Sequence, residues 1–110
     1  MRYSLAMLVL LCAACLEAGG DALMRGGMRS ASLGRSVAAY LAGGSLLALY
    51  GYVVNAPNWD FGRLLGVYIV YFFVVAQLIS WLAFHQPPSP RTLAGGVLIV
   101  LGGCVVSLGR

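Results

Sequence analysis

Lysine is missing from this chain and acids nearly so: among 110 residues only Glu17, Asp21 and Asp60 carry a side-chain carboxyl. Charged residues make up 9% of the sequence, where a water-soluble domain carries roughly 25%. That shortage argues against a soluble globule, because 61% of the residues are hydrophobic and the mean hydropathy is +0.90. The seven basic residues are all arginine and the net charge is +4, which raises nucleic acid as a partner. The arginines stand instead at the ends of apolar runs, and no basic stripe is interleaved with stacking aromatics. Nucleic-acid binding is therefore not expected. Phosphate loops, dinucleotide fingerprints and nucleophile motifs are also missing, so neither an enzyme nor a bound cofactor is expected.

Cysteine and histidine are scarce as well. Cys12, Cys15 and Cys104 all fall inside apolar runs. Cys12-Ala13-Ala14-Cys15 has the spacing of a redox pair or half a metal site. No second pair exists, and the lone histidine, His85, lies in a distant segment. The cysteines read as small helix-packing residues, His85 as a solvated turn residue, and no metal site is expected.

What remains is four apolar segments, which predict helices over about 3–24, 37–54, 64–84 and 92–108. A helix needs about 20 apolar residues to cross ~30 Å of hydrocarbon. The fold class is thus an all-α integral membrane protein, one domain over 1–110 with four transmembrane helices and short loops. Met1-Arg2 and the run behind it also resemble a secretory signal. Leu11 before Cys12, and Cys12 three places before Cys15, suit a lipoprotein cleavage site poorly. Three further apolar segments follow in any case, so the stretch is retained as the first helix.

The connections fit that reading. The first is rich in glycine, serine and arginine; Pro57 stops the second helix and Trp59 suits the headgroups; Pro87, Pro88 and Pro90 stiffen the third turn. Arg25, Arg29, Arg35 and Arg91 fall on one side of the membrane, and Arg2, Arg63 and Arg110 on the other. Four against three sets no orientation, and insertion both ways round stays open.

Glu17 is the residue this plan leaves unexplained. It lies roughly 5–6 Å beyond the midpoint of the expected first helix, and Asp21 roughly 11–12 Å beyond it. Asp21 is near the headgroups and has Arg25 four residues on as an expected ion-pair partner. Glu17 has no such partner on its own helix. A desolvated carboxyl holds its proton to higher pH than one in water, and once ionised it attracts a cation strongly in a low dielectric. Proton and cation then compete for one charge. The alternative is a structural carboxyl, neutral and bonded to a neighbouring helix. On the last helix Gly95-Gly96 and Gly102-Gly103 recur after seven residues, about two turns. They form a groove that either packs inside the monomer or docks a second copy, the latter being the expectation.

Four motifs together resemble the small multidrug resistance superfamily, and most of all its YnfA-like branch. They are Leu16-Glu17 with Gly20 and Leu23-Met24-Arg25, the Ser45–Tyr52 stretch ending Tyr50-Gly51-Tyr52, Phe61-Gly62-Arg63 before an aromatic third helix, and the glycine spacing of the fourth. The resemblance implies a multi-pass protein of the bacterial inner membrane that exports small or hydrophobic organic cations in exchange for protons. It implies Glu17 as the shared proton and cation site, and Tyr40, Tyr68 and Tyr71 as lining, with Asp21 nearby. Gly95, Gly96, Gly102 and Gly103 would form a homodimer interface, an antiparallel arrangement being open. Two departures stand out. The glycines that usually follow the Tyr-x-x-Tyr element of the third helix are replaced by bulky residues, and Asp21 stands where relatives tend to be neutral. A non-transporting structural or accessory protein, or one subunit of a paired transporter, is the competing reading.

Overall fold

The computed structural model describes residues 2–108; Met1 and Arg110, both used above, lie outside the described residues. The chain forms α1 (Tyr3–Met28), α2 (Leu33–Val54), α3 (Phe61–Phe84) and α4 (Pro90–Ser107). Each is long and apolar enough to cross a bilayer, and no strand is present among the described residues.

The helix ends have local causes. Residues 25–28 stay helical, against expectation. The Arg29 N–H closes onto the Arg25 carbonyl and the Ser36 hydroxyl caps the Gly27 carbonyl at 2.7 Å. The added turn brings the midpoint of α1 to within about 2 Å of Glu17 along the axis, deeper than the shorter helix implied. Ser32 accepts from the Arg35 N–H and starts α2 four residues early. Ser89 accepts from the Thr92 N–H at 3.1 Å with Pro90 as the first helical residue, the arrangement proline favours. α3 ends at His85, which adopts φ 56° while the Gln86 N–H reaches back to the Ser80 carbonyl. This closing geometry usually recruits glycine.

Contacts run α2–α1–α3–α4 in sequence, so the helices form a row rather than a four-cornered bundle. The principal extents are 50 × 34 × 19 Å, and 19 Å is less than two full helix diameters. α1 has neighbours on both flanks and contributes half of the buried hydrophobic residues, Ala6, Leu10, Ala13, Ala14 and Ala18; the last four pack with Val54, Leu64, Val67, Tyr68 and Val75. α4 touches α3 alone and buries only Gly103. α3 is helical throughout, as expected for a segment that lacks the usual glycines after Tyr68.

Close approach of α1 and α2 depends on two glycines. A Cβ added to Gly43 would stand 2.9 Å from the Gly20 carbonyl oxygen, and one added to Gly20 3.0 Å from that of Gly43. Gly44, next in sequence, meets nothing within 4 Å. We expect Gly43→Ala to destabilise the protein by about 1–3 kcal/mol through overpacking. Gly44→Ala should be neutral or stabilising by up to about 1 kcal/mol; unfolding titrations in micelles check the pair.

Candidate functional site

Along α1, Ala6, Leu10, Ala13, Glu17, Gly20, Met24 and Gly27 recur at alternating steps of four and three, which places them on one helix face. Ala6, Leu10, Ala13, Gly20 and Gly27 are buried there. Glu17 thus occupies the packed stripe of α1 and not its lipid side. Because its neighbours on that stripe are small, α3 comes near enough for Tyr68 to reach it. The Tyr68 hydroxyl donates to Glu17 Oε1 at 2.7 Å, from a side chain only 4% exposed. Tyr50 of α2 stands beside it, with ring centroids 5.7 Å apart, and Phe72 follows one turn along α3 at 6.2 Å. Glu17, itself half-buried, is therefore flanked by residues from α2 and α3.

Of the expected lining residues, Tyr68 is the one brought to Glu17. Tyr71 faces the same seam but donates to Met7 Sδ at 2.8 Å, toward the Trp59 end. Tyr40 packs on Gly27, ten residues beyond Glu17 and about 15 Å along the helix. Within one copy of the chain Tyr40 thus stands apart from the Glu17–Tyr68 bond. Tyr50 was missed because Tyr50-Gly51-Tyr52 reads as an interfacial pair; Tyr52 does face outward at 83% exposure. The two tyrosines lie two residues apart, so they project to different faces of one helix, and that spacing was the available signal.

Asp21 and Arg25 also depart from expectation. No ion pair joins them among the described residues; the Arg25 guanidinium lies over the Phe84 ring, 5.5 Å from its centroid. Both line a cavity of about 280 Å³ between α1 and α3, which runs from Phe84 and Gln86 inward to Ala18 and Phe72. Its inner end is one turn from the Glu17–Tyr68 bond. Toward the other membrane surface the seam is filled by Leu10, Val54, Leu64 and Val67, all buried. Beyond them Tyr3 stacks on Trp59, and Arg63 covers Trp59 while donating to the Ser107 carbonyl at 3.0 Å. The cavity nearest Glu17 thus lies on the Arg25 side of the Glu17–Tyr68 bond.

The four glycines of α4 divide in two. A Cβ on Gly96 would stand 3.0 Å from the Phe73 ring, and one on Gly103 would collide with Val70. These two pack α4 onto α3 within the chain. Gly95 and Gly102 meet nothing within 4 Å. An apolar groove of about 440 Å³ runs between α3 and α4, and Gln77 lines it. The three cysteines are free and exposed and do not pack between helices. No group of metal-ligating residues is present among the described residues.

Four apolar spans with one half-buried acid near mid-membrane define a multi-pass membrane protein. A UPF0060 membrane protein of Herpetosiphon aurantiacus is 31% identical over 74 residues, covering 66% of this chain and 67% of the relative. The chain belongs to that family, the YnfA-like branch of the small multidrug resistance superfamily. No protein-family model matches the chain, and no solved structure matches it.

The two tyrosine bonds differ in acceptor, a carboxyl against a thioether, and thioether sulfur is a weak acceptor. Tyr68→Phe should lower stability by about 1.5–3 kcal/mol, the range for hydrogen bonds to charged groups, and Tyr71→Phe by less than about 1 kcal/mol. A double-mutant cycle of Tyr68→Phe with Glu17→Gln, read by unfolding in micelles, should return a coupling of at least ~0.5 kcal/mol.

Proposed function

We propose that this protein is a proton-coupled exporter of small or hydrophobic organic cations in the bacterial inner membrane. Glu17 binds proton and cation in turn. The observation that carries the reading is an acid near mid-membrane, hydrogen-bonded by Tyr68, one turn beyond the inner end of a cavity lined by Asp21 and Arg25. Ionisable groups inside a membrane are costly and mark ion or substrate pathways. Tyr50, Tyr68 and Phe72 supply aromatic faces suited to an organic cation.

Exchange requires the site to face the two sides alternately. α3 offers no glycine hinge at Tyr68, so the movement belongs to whole helices. The α1–α2 pair meets at Gly20 and Gly43, the α3–α4 pair at Gly96 and Gly103, and each moves as a unit. The α1–α3 seam between them carries both the cavity and the Glu17–Tyr68 bond. Breaking that bond when a cation takes the carboxylate frees one pair to rock against the other.

A row of four helices leaves one flank of this seam open, and a second copy would close it. The working unit is a homodimer, with an antiparallel arrangement compatible with the arginine count. The outward glycines Gly95 and Gly102 border its interface, and the Gln77 amide, which makes no hydrogen bond among the described residues, pairs across it. The carboxyl–tyrosine bond also suits a purely structural role, in which Glu17 stitches α1 to α3.

Adding tetraphenylphosphonium, ethidium or guanidinium to the detergent-solubilised protein should release protons, and Glu17→Gln should abolish the release. Release by no cation, with Glu17→Gln only lowering stability, would favour the structural role. For the interface, Gly95→Leu with Gly102→Leu should leave a folded monomer on crosslinking. Gly96→Leu with Gly103→Leu should disturb the fold itself; dimers persisting in the first variant would refute this surface.

A further inference from the structure

We propose that Asp21 is the outer carboxyl of a two-step relay that takes protons from the Arg25 surface of the membrane and passes them to Glu17. The proposal rests on the antiport reading and deepens it by giving the proton a route and a side of entry.

Asp21 is exposed and lines the cavity whose inner end is formed by Ala18 and Phe72. It stands one turn from Glu17, a rise of about 6 Å, too far for direct transfer and suited to one bridging water. The cavity, at about 280 Å³, holds several waters, each occupying about 30 Å³ in the liquid. The one cation that shares the cavity, Arg25, is turned onto the Phe84 ring. The ionisable groups facing this path are Glu17 and Arg25 from α1, Tyr50 from α2 and Tyr68 from α3; the charge of Asp21 is felt at both tyrosine hydroxyls. Tyrosine does not exchange protons readily near neutral pH. Asp21 is therefore the group on this path able to load and unload a proton ahead of Glu17. In the inward direction a proton from water binds the Asp21 carboxylate. It then moves through the bridging water to the Glu17 carboxylate, and Asp21 is left ionised again. Cation binding at Glu17 drives the same steps in reverse.

Glu17 is the only glutamate in the sequence, so carbon-13-labelled glutamate reports on that carboxyl alone. After a rapid pH drop, time-resolved infrared spectroscopy follows its protonation. Asp21→Asn should slow this step at least tenfold. Sodium azide, a small weak acid that carries protons into cavities, should restore the rate in Asp21→Asn and leave the unsubstituted protein unchanged. A substitution that merely loosened packing would not be rescued by azide. Asp21→Asn protonating at the original rate, or slowly with no response to azide, overturns the relay. The antiport reading fails separately: if the pH-jump result holds but no cation releases protons, the relay stands without the exchange.

Discussion

Everything in the fold follows from keeping one carboxyl inside hydrocarbon with a donor on it. A charged side chain near the bilayer centre costs about 2.5–3.5 kcal/mol on insertion scales. A hydrogen bond to a charged acceptor contributes about 1.5–3 kcal/mol. The Tyr68 hydroxyl thus offsets most of the cost of the charged form, provided α3 lies close enough to deliver it. That proviso suits the small residues Ala13, Ala14 and Ala18 that flank Glu17 among the buried positions of α1. Larger residues would hold α3 away and strand the acid. It also explains the Gly20–Gly43 approach one turn further on, which seats α2 so that Tyr50 stands beside Tyr68.

Much of this was legible in the sequence, because hydropathy dictates spans and an acid within a span demands a reason. The four helices, Glu17 and its partner Tyr68 were readable. The ends were less so: Ser32, Ser89 and the Ser36–Gly27 bond set them through backbone capping, which hydropathy does not register. The division among the α4 glycines was not readable either. A seven-residue repeat brings residues back to one face, but neighbours in a pair differ by about 100° of rotation. Gly96 and Gly103 consequently meet α3, while Gly95 and Gly102 look outward.

The row arrangement gives those outward residues their meaning. With α4 held by α3 alone, most of its surface is apolar and uncovered, which lipid tolerates without cost. An amide is different. Gln77 lies about 7 Å from the middle of α3 along the axis, where water is absent and an unpaired polar group costs several kcal/mol. The groove therefore has a chemical requirement that lipid cannot meet; in the proposed dimer an amide on the second copy would meet it with a donor and an acceptor at once.

The position of Arg25 decides what the cavity can do. An exposed pair four residues apart on a helix is worth about 0.3–0.5 kcal/mol, whereas a guanidinium over an aromatic ring is worth about 0.5–1 kcal/mol at exposed sites. Phe84, fixed at the end of α3, therefore outcompetes Asp21 for the arginine. A sequence reading that counted only charge pairs assigned Arg25 to Asp21 and treated both as settled. With the arginine on the ring, the cavity retains an uncommitted carboxyl, Asp21, one helical turn from Glu17. On the proposed relay, that series would give a proton two stations between water and the membrane interior, where a neutralised Asp21 would leave a single isolated acid.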